Sequence, residues 1–236
     1  MMTKPILARL WYGHSVGLCV FDLDHTLVRT PLDLAAMAAD MQALLERARG
    51  PLPARAERWR VGELIARCRA EAADLEPALW ALALEREARA MDAAALEPGA
   101  RAALTGARRL GLGTALWTNN ARAITLPALG RLGLEALLDL VVTRDDMRAL
   151  KPDPDGWRVI AGHFGGGPGD AAAVARAAVV VGDSWVDGRA AAAVGVPFVA
   201  YRADRASLAR FRVTPVAHLD ELHHLPAWLA ARGNGG

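Results

Sequence analysis

Two carboxylates one residue apart open the chemistry of this chain: Asp22 and Asp24, in the run Asp22-Leu23-Asp24-His25-Thr26. They follow the apolar stretch Val16 to Phe21, interrupted only by Gly17. That stretch is too short for an ordinary helix and rich in β-branched and aromatic residues, which predicts a buried strand. In an open α/β sheet, ligands bind beyond the carboxyl ends of the strands. Side chains alternate along an extended chain, so Asp22 and Asp24 point the same way. Two like charges held that close need either a cation between them or one carboxyl kept protonated. The first predicts a metal, the second an acid/base. For this motif alone, a strand end capped by turn-forming Asp residues explains the pattern equally well.

Three further segments carry polar chemistry after apolar runs. Thr118-Asn119-Asn120 follows the stretch ending at Trp117. A hydroxyl and free N–H groups at a helix start can hold phosphate oxygens, although Thr-Asn also serves as a plain helix cap. Lys151-Pro152-Asp153-Pro154 precedes a helical stretch, and its prolines suit a helix start. Lys151 there can pair with a carboxylate or a phosphoryl oxygen, or stand in solvent. Last comes Gly182-Asp183-Ser184-Trp185-Val186-Asp187, with a second Asp at helical spacing. Carboxylate oxygens of this kind are what a hard Mg²⁺ ion wants. Each segment has a structural explanation alone. Four such segments in this order describe one site.

The elements that must position these residues alternate along the chain. Strands are predicted at 112–117, 138–143, 178–181 and 197–201, and helices at 100–110, 121–132, 154–163, 187–194 and 219–231. Alternation of this kind predicts an α/β fold, a Rossmann-like parallel sheet with helices on both faces. Residues 31–96 differ. They are rich in Ala, Leu, Arg and Glu, hold no strand-like run, and repeat Leu34, Met37, Met41, Leu44 and Leu45 at helical spacing. They read as an inserted all-helical cap between core segments 1–30 and 97–236. Gly165 to Gly169 reads as a flexible surface turn, since no Lys-Ser/Thr follows as in a phosphate loop.

Composition narrows the function classes. The 28 basic and 26 acidic side chains leave a formal charge of +2, which gives no bulk attraction to nucleic acid or an anionic membrane. No apolar stretch reaches membrane-spanning length, and the N-terminus lacks the apolar core of a signal peptide. Cys19 and Cys68 are far apart in sequence and read as reduced core thiols. A cytoplasmic protein is expected.

The four motifs in this order resemble the haloacid dehalogenase-like (HAD) hydrolase superfamily. DxDxT appears as Asp22 to Thr26, the second-motif hydroxyl as Thr118, the KPxP lysine as Lys151, and GDSxxD as Gly182 to Asp187. The helical insert is similar to the cap of phosphoglycolate phosphatase-like and β-phosphoglucomutase-like members. The resemblance implies a Mg²⁺-dependent phosphatase acting on a small phosphorylated metabolite through an aspartyl-phosphate. Asp22 is the implied nucleophile and Asp24 the general acid/base. Mg²⁺ is expected between the Asp22 carboxylate, the Asp24 backbone carbonyl and Asp183, with Asp187 as second ligand or water-mediated support. Thr118 and the Asn119 N–H are expected on the transferring oxygens, with Lys151 offsetting negative charge. Dehalogenating members lack an acid at the place of Asp24, which favours phosphate esters. A phosphomutase using the same intermediate and a non-catalytic phosphate-binding module remain alternatives.

The resemblance also implies cap movement, with hinges near residues 28–31 and 95–99. Within the cap, Arg47, Arg49, Arg55, Arg58, Arg60, Arg67 and Arg69 are mostly solvated, with one or two free to read a substrate carboxylate or second phosphate. His25 stands where glycine is common in the family, and its imidazole is expected at the cleft rim or packed under the cap. Trp185 lines the cleft or packs in the core. His223 and His224 read as a solvated face, their rings diverging on a helix, and His14, His163 and His218 show no supporting partners in sequence.

Overall fold

Burial organises the core from one strand outward. All four residues of β1 (Leu18–Phe21) are buried, as expected of a strand covered on both faces. The computed structural model describes residues 17–165 and 170–233. Val16, His14, the N-terminal segment read against a signal peptide and loop residues 166–169 lie outside them.

After β1 come β2 (Val28–Arg29), α1 (Leu34–Arg49), α2 (Val61–Glu71), α3 (Glu76–Asp92) and β3 (Ala95–Leu96). The chain continues through α4 (Ala100–Arg109), β4 (Gly113–Trp117), α5 (Arg122–Arg131), β5 (Leu140–Val142), α6 (Asp155–Phe164) and α7 (Ala171–Arg176). It ends with β6 (Ala178–Gly182), α8 (Trp185–Ala193), β7 (Phe198–Tyr201), α9 (Arg205–Arg210), β8 (Ala217–Leu219) and α10 (Leu225–Gly233).

Six strands form one parallel sheet in the order β5-β4-β1-β6-β7-β8, flanked by helices. The predicted α/β Rossmann-like core is what folds. The chain moves from β1 to β4 and β5 on one side, then returns to β6, β7 and β8 on the other. That makes β1 the topological switch point, where such sheets bind ligands. Register sets the site: Phe21 lies level with Leu116 and Val181. Asp22, Thr118 and Asp183 are the first residues past β1, β4 and β6, so they emerge at one edge of the sheet, with Thr118 and Asp183 one residue beyond the level of Asp22. Trp117, Trp157, Ile160, Val180 and Phe198 belong to the core beneath them.

The tail departs from the predicted helix over 219–231. It begins as strand β8, passes through a 3₁₀ turn at Leu222–His224, and only then becomes α10. Three edge residues, of which only Leu219 is buried, carry too little pattern to reveal a strand. The stretch read as strand-free to Leu96 likewise ends in β3, which pairs antiparallel with β2.

The chain divides into two compact units, Met1–Arg29 with Ala95–Gly236, and Thr30–Ala94. The second unit is helical. Asp33 caps α1 by accepting from the N–H groups of Ala35 and Ala36, both at 2.9 Å. Met37, Met41, Leu45, Leu64, Ile65 and Leu79 form its separate core. Gly50 to Pro53 breaks α1 from α2, as predicted. Cys19 and Cys68 are both free and buried, as expected. Among the described residues no helix is long and apolar enough to cross a membrane.

Candidate active site

Lys151 joins the strand ends into one site. Its ammonium donates to Asp22 Oδ1 at 2.7 Å, to Asp187 Oδ1 at 2.5 Å and to the Trp117 carbonyl at 2.7 Å. The side chain is 3% exposed, so these bonds are made away from solvent. Burial works against its charge, but the carboxylates of Asp187 and Asp22 outweigh it and raise the pKa. The lysine read as either paired or solvated is paired. Two backbone bonds hold it there. The Asn119 side-chain amide donates to the Lys151 carbonyl at 3.0 Å, and the Lys151 N–H donates to Asn119 Oδ1 at 2.9 Å.

Asp22 follows β1, its N–H tied to the Val181 carbonyl at 2.9 Å. Burial pushes its carboxyl up to about 7, with Asp187 and Asp24 adding to the rise and Lys151 opposing it. Asp183, at the end of β6, is raised well above the usual carboxylate range, first by burial and then by the charges of Asp22 and Asp187. Asp187 sits in the first turn of α8. Its Oδ2 accepts from the Ser184 hydroxyl at 2.7 Å. Gly182 makes room for it: a Cβ at that position would lie 2.6 Å from Asp187 Cγ.

Asp22, Asp183 and Asp187 each offer a carboxylate oxygen, all within 4.8 Å of one another. Three carboxylates, one buried and two partly buried, lie around one ammonium, so the set is short of positive charge. Hard oxygen donors with excess negative charge fit Mg²⁺. Both Asp187 oxygens are already engaged, by Lys151 and Ser184, which suits the supporting place better than direct ligation.

Thr118 is 1% exposed and anchored by its N–H to the Val142 carbonyl at 3.0 Å. Its hydroxyl oxygen accepts from the Asn120 N–H at 3.1 Å, which leaves the O–H to donate elsewhere. The Asn120 amide reaches Asp24, donating to Oδ2 at 2.6 Å. Sequence reasoning gave no role to Asn120 or to Ser184. The Ser-x-x-Asp spacing at a helix start was a usable signal for Ser184. Asn120 had none, since its partner lies 96 residues away.

The other candidates fall outside this cluster. His25 is exposed, with φ 56° and its N–H on the Val28 carbonyl at 2.7 Å. Glycine adopts that left-handed backbone freely, whereas a histidine there carries some strain. Trp185 stacks on Phe211, ring centroids 3.8 Å apart, and packs against the core. His223 and His224 are exposed as expected, but their rings do not diverge. They lie on a 3₁₀ turn with centroids 4.2 Å apart. Of the seven arginines singled out in the helical unit, Arg49, Arg55, Arg60, Arg67 and Arg69 pair with Asp74, Glu63, Glu57, Glu71 and Glu76. Arg47 and Arg58 are exposed and, among the described residues, make no ion pair.

Comparison with known proteins points to one family. Residues 16–195 match the family described as haloacid dehalogenase-like hydrolase. A plasmid-borne phosphoglycolate phosphatase of Cupriavidus necator is 37% identical over 100 residues, spanning 42% of this chain and 40% of the relative. The phosphoglycolate phosphatase of Pseudomonas putida is 31% identical across 81% of this chain and 71% of its own. Among solved structures, a haloacid dehalogenase-like hydrolase from Bacteroides fragilis superposes with a TM-score of 0.65, covering 89% of this chain and all (100%) of that one at 20% identity. With its four motifs gathered at the carboxyl end of one parallel sheet, the chain belongs to the haloacid dehalogenase-like hydrolase family.

Proposed function

We propose that this phosphatase hydrolyses a small phosphorylated metabolite with Mg²⁺ as cofactor, through an aspartyl-phosphate formed on Asp22. The observation that carries the reading is Lys151, which binds Asp22 and Asp187 in one buried cluster with Asp183 alongside. Asp22 attacks phosphorus. Asp24 gives a proton to the leaving oxygen, then takes one from the water that hydrolyses the intermediate. The Thr118 hydroxyl and the Asn119 N–H hold the transferring oxygens, and Lys151 offsets charge on the nucleophile. When bound by Asp22, Asp183 and the Asp24 carbonyl, with Asp187 in support, Mg²⁺ neutralises charge on the phosphoryl group. Positioning and charge stabilisation are what phosphoryl transfer needs most. Substrate choice is assigned to the helical unit, Thr30–Ala94, as the cap. The relatives' name makes phosphoglycolate the first substrate to try, and the cytoplasm is the proposed compartment.

The test is hydrolysis of p-nitrophenyl phosphate and of a panel of phosphorylated metabolites. Turnover is expected to require Mg²⁺, to stop with EDTA and to vanish in Asp22→Asn. EDTA-insensitive turnover would overturn the metal's part. Full activity in Asp22→Asn would overturn the nucleophile.

A further inference from the structure

Among the described residues, a second group of metal-ligating side chains gathers away from the aspartates: Glu221, His223 and His224, at the 3₁₀ turn between β8 and α10. The ligand atoms they offer all lie within 4.8 Å of one another, and Glu221 Oε2 stands 3.1 Å from His223 Nδ1. Successive residues of a 3₁₀ helix point about 120° apart, so two adjacent rings should diverge. These lie instead with centroids 4.2 Å apart, both bent toward one side. The backbone beneath them is held. Leu222 and Leu225 are fully buried on either side of the pair, and the His224 N–H donates to the Glu221 carbonyl at 3.1 Å. Gly99 packs so closely that a Cβ there would stand 2.7 Å from the His223 backbone nitrogen. Ligand atoms on an anchored turn, open to solvent, can take up an ion without remodelling the fold.

We propose that Glu221, His223 and His224 bind a divalent transition-metal ion of the Zn²⁺ class, at a surface site separate from the one assigned to Mg²⁺. The donor set decides the class. Imidazole nitrogen suits Zn²⁺, Cu²⁺ and Ni²⁺, whereas Mg²⁺ takes oxygen ligands. Two imidazoles and one carboxylate make a three-ligand Zn²⁺ set, with the fourth position left to water. Bonds of about 2.0–2.1 Å put the ligands of a tetrahedral ion roughly 3.3 Å apart. Glu221 and His223 already stand near that separation, so only the exposed tips must close in. The bound ion would fasten the turn that joins β8 to α10.

The experiment titrates the tag-free full chain with Zn²⁺ in excess Mg²⁺ and measures bound metal by equilibrium dialysis. It compares the wild type with His224→Ala, the double variant His223→Ala/His224→Ala, and Asp183→Asn. The wild type is expected to bind one Zn²⁺ per chain at micromolar concentration. His224→Ala should weaken that binding by at least about 10-fold, the size that even a ligand's supporting partner contributes. The double variant should abolish it, and Asp183→Asn should keep it. Co²⁺ gives a second readout: the visible absorption bands of a tetrahedral site should appear in the wild type and in Asp183→Asn, and be absent from the double variant. Both histidines are exposed, so metal-free melting temperatures should be unchanged by their removal. Equal Zn²⁺ affinity in the wild type and the double variant would place the ion elsewhere and overturn the proposal. So would the lack of saturable Zn²⁺ binding by the wild type. Loss of binding in Asp183→Asn with retention in the double variant would assign the ion to the aspartates and overturn it as well.

Discussion

Lys151 holds one buried ammonium against the buried Asp187 and the partly buried Asp22, and removing it leaves both without that counter-charge. Breaking a buried pair in this way typically costs about 3–5 kcal/mol. Lys151→Met is therefore expected to lower metal-free stability by that order in urea unfolding and to abolish turnover. A surface-sized loss below about 1 kcal/mol would mean the ammonium is not engaged. Asp22 gives a pH signature. Its carboxyl is held near 7 against an ordinary 3.8, mainly by burial. Between those values the unfolded chain has released the proton that the metal-free native protein still holds, so rising pH favours unfolding. The contribution is fully present below 3.8 and gone once pH passes about 7. Asp22→Asn lacks this ionisation. In EDTA its melting temperature should gain on that of the wild type as pH climbs through this window. A constant difference would mean that Asp22 ionises normally.

Gly182 links strand to helix, and its missing Cβ sets how closely α8 approaches β6. A methyl there would stand 2.6 Å from Asp187 Cγ and 2.7 Å from Asp187 Cβ. Gly182→Ala is expected to cost about 1–3 kcal/mol by overpacking and to lower kcat by displacing Asp187 from Lys151. Unchanged melting and kcat would show that the helix can yield. At this scale much was legible in sequence. β1, β4 and β6 are buried throughout and read as near-continuous apolar runs, so the polar residues ending them stood out as strand-end chemistry. What stayed hidden depended on distance or brevity. Asn120 meets Asp24 only through the fold. The strands β2 and β3 are two residues each, and β8 is a three-residue edge, all too short for periodicity to register. Lys151 was recognised from its motif, but its burial follows from the Asn119 amide, which no spacing announces.

The whole molecule is nearly neutral, yet its site concentrates negative charge. Asp22 and Asp187 share one buried ammonium, and Asp183 stands beside them. A divalent cation bound there stabilises the folded state by mass action, about 2.7 kcal/mol at 100 times its Kd. Mg²⁺ should therefore raise the melting temperature of the wild type, and far less that of Asp183→Asn. An equal shift in both would place the ion elsewhere. The claim on which everything else depends is that Asp22 carries the phosphoryl group. It is tested by incubating Asp24→Ala with Mg²⁺ and p-nitrophenyl phosphate, quenching in acid, and mapping the protein by mass spectrometry. The aryl group can leave without the acid, while hydrolysis of the intermediate stalls without the base. One phosphoryl group on the peptide containing Asp22, absent from Asp22→Asn, is the expected result. A phosphoryl group on any other residue, or p-nitrophenol release by Asp22→Asn at the wild-type rate, would contradict it.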